Sequence, residues 1–136
     1  MIAGKLGAYA VELSTRPLSD DVLHAAKRCF VDGMAAMICG AVHPPATLMT
    51  EALADELDHG GAQIVPSGRR APLRTAALIN GAAAHAMEVD DIFRDAVYHP
   101  GPPVISAVLA ACQSSGHDGM MLLRAIIAGY EVSNRV

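Results

Sequence analysis

The sequence contains no tryptophan, and two phenylalanines with three tyrosines hold its aromatic content to 4% of 136 residues. Base stacking therefore has little to work with, and ten Lys and Arg against fourteen Asp and Glu leave a net charge of −4, the wrong sign for tracking phosphates. Nucleic acid is not an expected ligand. The longest apolar run, Met34 to Val42, is interrupted by Gly40 and falls well short of the roughly 20 residues a membrane span needs. Met1-Ile2-Ala3-Gly4-Lys5 has no basic flank leading into an apolar signal core, so the expected location is cytoplasmic, with no membrane partner. Three cysteines, Cys29, Cys39 and Cys112, are an odd number without CxxC spacing, which argues against a disulfide framework or a thiolate metal knuckle. GxGxxG, P-loop, GxSxG and HExxH patterns are all absent, which removes the motif-level case for dinucleotide, nucleoside triphosphate, serine-hydrolase and zincin chemistry.

Charge is also sparse, at 18% against 52% hydrophobic residues, and the mean hydropathy is +0.32. Disorder is excluded, and any helix formed carries apolar surface that needs a partner. Ser19 followed by Asp20 and Asp21 predicts a helix start, with a capping side chain and two carboxylates on the positive end of the dipole. Leu23, Ala26, Phe30, Met34 and Met37 then recur at helical spacing until Gly40 stops the run. A second helix is predicted from Thr47 through Leu48, Ala52, Leu53 and Leu57, broken by Gly60-Gly61. Gln63 to Gly68 is the only stretch that reads as extended. Pro72 opens a third helix with Leu73, Ala76, Ala77, Asn80, Ala84 and Met87 on one face, and prolines at 100, 102 and 103 open a fourth that ends near Gly116. A fifth follows Asp118-Gly119 and carries Leu122, Leu123, Ile126, Ile127 and Tyr130, with Gly129 expected to let another backbone approach. The pattern is all-α and still helical at Val136, so the architecture reads as unfinished.

Between the third and fourth helices lies the chemistry: His85-Ala86-Met87-Glu88-Val89-Asp90-Asp91, then His99-Pro100-Gly101. If the helix persists, His85 and Glu88 share a face and Asp91 sits about a turn further. Imidazoles beside carboxylates suit proton transfer, because burial and pairing tune both. The plainer readings are a solvated helix terminus for the acids, a hydrogen-bonded turn for His99 and a surface ion pair for Arg94 and Asp95. Carboxylates at a helix C-terminus oppose the dipole, however, and need another justification. Divalent metal on His85, Asp90, Asp91 and His99 is chemically allowed, but the spacing matches no recognised metal motif, and no metal is expected. The remaining histidines, His24, His43, His59 and His117, lack paired ligands and are assigned structural or surface roles.

Asn80-Gly81, His85, the run 88–91, His99-Pro100-Gly101, Gly119, the closing Ala128-Gly129-Tyr130-Glu131-Val132 and the early stretch from Cys29 to Gly40, with Asp32-Gly33, together resemble the MmgE/PrpD family, which includes 2-methylcitrate dehydratase, cis-aconitate decarboxylase and iminodisuccinate epimerase. The resemblance implies a large helical domain followed by an α+β lid domain, usually dimeric, with no obligatory metal or iron–sulfur cluster. This chain corresponds to the first part, and the later lysine and histidine of the family site fall outside it. Resemblance further implies that His99 is the catalytic histidine, with Asp90, Asp91 and Glu88 around it. Glu88 stands where the family motif begins with aspartate, Val89 where an aromatic is common, and Ile92 where decarboxylase-like members carry threonine. Those departures argue against cis-aconitate decarboxylation, and the resemblance implies a 2-methylcitrate dehydratase-like lyase acting on a small polycarboxylic acid, without cofactor, with Arg94 and His85 as substrate-binding candidates. A noncatalytic, partner-binding helical segment and a metal-dependent hydrolase are the competing readings. On its own the chain is expected to be inactive.

Far-UV circular dichroism of the purified chain should be dominated by helix. Light scattering should show dimers or larger assemblies, because apolar faces, expected mainly on the last two helices, lack cover. A strand-rich spectrum or a compact monomer would contradict this reading.

Overall fold

The computed structural model describes residues 1–136 and is built from six α-helices and one two-stranded ribbon. The all-α expectation holds. Helix α1 spans Ile2–Thr15, α2 Asp20–Gly40, α3 Ala46–Ala52, α4 Leu73–His85, α5 Gly101–Ser115 and α6 Gly119–Ser133. Strands β1 (Ala62–Gln63) and β2 (Arg70–Ala71) pair antiparallel with Ala62 opposite Ala71.

Two of the six helix starts, those of α2 and α6, carry side-chain caps. Ser19 accepts from the Val22 N–H at 3.4 Å and Asp118 from the Met121 N–H at 2.9 Å, each satisfying one of the orphan donors of a first turn. Gly116, at φ 68°, ends α5 in the left-handed conformation that glycine adopts without steric cost.

Gly40 acts differently from the expected terminator, since the residue after it, Ala41, is still right-handed. A Cβ at Gly40 would overlap the Ala83 carbonyl, so this glycine lets α2 lie directly on the backbone of α4. A Cβ at Gly33 would come within 3.0 Å of the Ile105 side chain of α5, and Gly129 likewise faces a side chain, that of Val104, rather than a backbone. Small residues thus set the spacing of the bundle, around a core of Met37, Ala84, Ile105, Leu109 and Ile126. A second cluster of Leu57, Ile64, Ala76, Ile79 and Ala110 packs the ribbon under α4 and α5.

Three expectations are corrected. Helix α1 has no counterpart in the sequence reading: its glycines at 4 and 7 and absent cap weaken the local signal, and only Leu13 is buried. It is held on α6 by Tyr9, which donates to Glu131 at 2.8 Å, and by Arg124, which donates to the Ser14 and Arg16 carbonyls. The second predicted helix stops at Ala52 and continues as one 3₁₀ turn, Ala54–Glu56, which sends Leu57 into the second core. The extended stretch, finally, gains an unforeseen partner at Arg70–Ala71. Fully buried Asn80 fixes it by accepting from the Val65 N–H and donating to the Gln63 carbonyl, both at 2.9 Å.

Helices α5 and α6 also bury the faces expected to be open, through Val104, Ile105, Leu109, Leu123, Ile126 and Ile127. Exposed large apolar side chains are spread over α1 at Ile2 and Val11, α2 at Val31 and Ile38, α3 at Leu48, α4 at Leu73 and Leu78, the loop before α5 at Val89, Ile92 and Val97, and the start of α6 at Met120 and Met121.

Gly40→Ala should destabilise the chain by about 3 kcal/mol, the upper end for overpacking, because a backbone carbonyl cannot swing aside as a side chain can. Gly119→Ala, where a Cβ meets nothing within 4 Å, should be neutral or stabilising by about 0.5 kcal/mol. Urea melts of the two variants against the parent check the contrast.

Candidate functional site

Helix α4 ends at His85, and the chain turns away there, with the Ala86 N–H bonded to Ala83 and the Glu88 N–H to His85. Glu88 adopts φ 49°, so the expected helical face shared by His85 and Glu88 does not form, and Glu88 is exposed with no side-chain hydrogen bond. What looked like acids opposing a helix dipole are loop residues serving the next helix. Asp91 accepts from the Gly101 N–H, the first of α5, at 2.8 Å, and from the Tyr130 hydroxyl of α6 at 2.7 Å. Its charge meets a positive helix end.

Asp90, one residue earlier, is turned inward, with 2% of its side chain exposed. Two imidazoles converge on it. His85 Nδ1 lies 3.2 and 3.1 Å from its oxygens, and His99 Nδ1 lies 2.9 Å from Oδ2. The His99 approach is close enough for an ion pair but out of line for a hydrogen bond, which leaves that buried nitrogen without one. The two rings meet edge to face at 4.9 Å. His99 keeps 30% and His85 48% of its side chain open to solvent.

An open pocket of about 370 Å³ fronts the imidazoles, lined by His85, Val97, Tyr98, His99, Pro102 and Pro103. Behind the acids lies another, about 350 Å³, lined by Ala25, Arg28, Cys29, Asp32, Val89, Asp90 and Asp91. Withdrawal from water and the nearby Asp91 and Asp90 carboxylates push the Asp32 carboxyl above its usual range. Burial pushes the Cys29 thiol up as well. Burial foremost, and then the bond to Asp91, drive Tyr130 far above an ordinary phenol, so its hydroxyl remains a donor.

The start of α5 cannot serve as a general anion cradle. Pro102 and Pro103 have no N–H, Gly101 gives its own to Asp91, and Val104 already bonds the Pro100 carbonyl. Cationic help must come from side chains. Arg94 sits on an exposed turn closed by the Phe93–Tyr98 bridge and forms no ion pair, with Asp95 or any other acid.

Of the six candidate residues, the structure brings together His85, Asp90 and His99, ties Asp91 in beside them, and leaves Glu88 and Arg94 at the surface. The MmgE/PrpD N-terminal domain matches residues 4–136. The chain belongs to the MmgE/PrpD family. Among curated members, the cis-aconitate decarboxylase-like protein oryM of Aspergillus oryzae is 30% identical over 142 residues, covering 99% of this chain and 30% of that protein. The cis-aconitate decarboxylase of Aspergillus terreus is 28% identical over 140 residues, covering 99% of this chain and 29% of the relative. The chain therefore spans about 30% of the length of the curated relatives it matches. No solved structure matches it.

Sequence reasoning places Tyr130 only in the apolar stripe of the last helix. Its tie to Asp91 is a contact across 39 residues that no local pattern reveals. Asp32, too, enters only through the resemblance, and its place facing Asp90 and Asp91 depends on how α2 packs.

Asp91→Ala should cost about 3 kcal/mol, since it strands both the Gly101 N–H and the Tyr130 hydroxyl, whereas Tyr130→Phe should cost about 1–2 kcal/mol. Because the folded-state pKa of Tyr130 is raised, its contribution is complete below the ordinary value of 10.0 and is lost as pH climbs through the folded value. The stability gap between parent and Tyr130→Phe should therefore stay constant from neutral pH to about 10 and close only above it, as chemical melts at several pH values would show.

Proposed function

We propose that this protein acts as an MmgE/PrpD-type lyase on a small polycarboxylic acid, with His99 as the group that moves the proton. The observation that carries the reading is the contact of His99 with buried Asp90, beside a pocket open to solvent. A carboxylate withdrawn from water orients the imidazole and stabilises the imidazolium formed when the ring takes a proton. His85 shares that carboxylate, so its Nδ1 is committed and only its far edge is free for a substrate group. Asp91 acts one step removed, holding the loop to α5 and α6. Arg94, with no protein partner for its guanidinium, is the candidate clamp for a substrate carboxylate. Glu88 contacts none of these groups, and a relay role for it has no support in the geometry.

In the dehydratase-like form of the reaction, the base removes a proton from the carbon next to a carboxylate and hydroxide leaves from the neighbouring carbon. Ile92, apolar and exposed, supplies no hydroxyl where decarboxylase-like members have one, which supports this form. The printed names of the Aspergillus relatives favour a second form, in which carbon dioxide leaves and the imidazolium returns a proton to carbon. Homo-oligomeric assembly belongs to the same proposal, supported by the exposed apolar side chains of α2.

Joined to the C-terminal portion of a relative, the chain should turn over a tricarboxylate, and product analysis separates loss of water, with all carboxyl groups retained, from release of carbon dioxide. His99→Ala should lower kcat on the order of 10²- to 10⁴-fold, beyond any loss of folded protein. Asp91→Asn should cost less, and His43→Ala should be silent. Near-normal kcat in His99→Ala, with melts measured alongside, would mean that the histidine only completes a turn.

A further inference from the structure

His85 and His99 present Nδ1 to the same carboxylate, and one ligand atom from each of His85, Asp90 and His99 lies within 4.8 Å of the other two. No arginine or lysine pairs with Asp90, although its side chain is almost wholly buried. A buried carboxylate needs positive charge or donors, and here only two imidazoles can supply them. The Nδ1 of His99 is itself buried without a hydrogen bond.

We propose that His85, Asp90 and His99 form a binding site for a divalent transition-metal ion. Two imidazoles and one carboxylate are a donor set that zinc and its neighbours favour. Nitrogen to oxygen separations of 2.9 and 3.1 Å fall a few tenths of an ångström short of the edge, roughly 3.3–3.6 Å, of a tetrahedron with bonds of about 2.0–2.2 Å, so the ligands need to part only slightly to admit an ion. Three protein ligands leave a fourth position open toward the pocket in front of the rings. Asp91, which the sequence offers as a fourth ligand, is excluded because both its oxygens are engaged by Gly101 and Tyr130. The spacing 85, 90, 99 matches no familiar motif because the ligands come from a helix end, a loop and the residue before a helix start.

Metal on His99 Nδ1 leaves Nε2 carrying the ring's only proton, so the imidazole can no longer accept one, and Asp90 is neutralised at the same time. Binding and proton transfer are mutually exclusive. That consequence for turnover rests on the proton-transfer reading, whereas the binding does not.

Zinc chloride titrated into the reduced full chain, with histidine rings labelled with nitrogen-15, tests the site directly. The Nδ1 resonances of His85 and His99 should shift and saturate at one zinc per chain, while His24, His43, His59 and His117 stay in place. His85→Gln should weaken binding by at least the roughly 10- to 100-fold that even outer-sphere partners of a metal command. Shifts spread over all six histidines without saturation, or binding that ignores His85 and His99, would mean an adventitious ion only. That titration uses the parent protein, so it decides even if the variant misfolds. In the enzyme completed with a relative's C-terminal portion, saturating zinc should abolish turnover and a chelator should restore it. Zinc bound at these three ligands with turnover intact would overturn the proton-transfer reading and leave the metal site standing. No zinc binding, with His99→Ala inactive, would do the reverse.

Discussion

Everything at the mouth of this bundle hangs on the carboxylate of Asp91. With one oxygen on the Gly101 N–H and the other on the Tyr130 hydroxyl, it joins a loop to the start of α5 and the far end of α6. The loop has little else to order it. Its bridge at Phe93 and Tyr98 is a single rung, and Glu88 and Val97 both take positive φ, a conformation that costs a side chain of either kind. Two charge-assisted bonds to rigid helices offset that cost and hold the neighbouring Asp90 inward. The protonation behaviour of Tyr130 follows from the same arrangement, since a buried phenol facing a carboxylate keeps its proton.

Much of the helical framework is legible in the sequence because its signals are local. Ser19 and Asp118 cap the helices they precede, the apolar stripes of α2, α5 and α6 keep their period, and Gly116 takes the left-handed turn. What escapes is tertiary in origin. Helix α1 owes its place to polar ties on α6, and a two-residue strand has no periodicity to read, so β2 exists because it pairs with β1, whose end Asn80 holds through Gln63 and Val65. Gly40 shows a subtler gap: its position at a helix end is legible, but its reason, contact with the Ala83 carbonyl, is not.

The candidate site divides along the same line. Pairing of His85 and His99 with an acid is foreshadowed by their residue types, yet which acid goes inward depends on a chain reversal after His85 that moves Glu88 out of register and Asp90 in. Helical spacing from His85 points to Glu88, but α4 ends at His85, so that spacing does not apply. The anion-binding potential of α5 fails for a residue-level reason visible in the sequence, since prolines at 102 and 103 remove the donors that a helix start otherwise offers.

The long reach of Tyr130 to Asp91 carries a temporal consequence. During synthesis the acid leaves the ribosome 39 residues ahead of its phenol. At 5–20 residues per second that is an interval of roughly 2–8 s in which the segment between α4 and α5 does not yet have its anchor to α6. A nascent chain in that window can already possess both histidines and both acids while lacking the tie that organises them. Assembly of the bundle, rather than the order in which the reactive residues appear, therefore sets the moment at which they become a site.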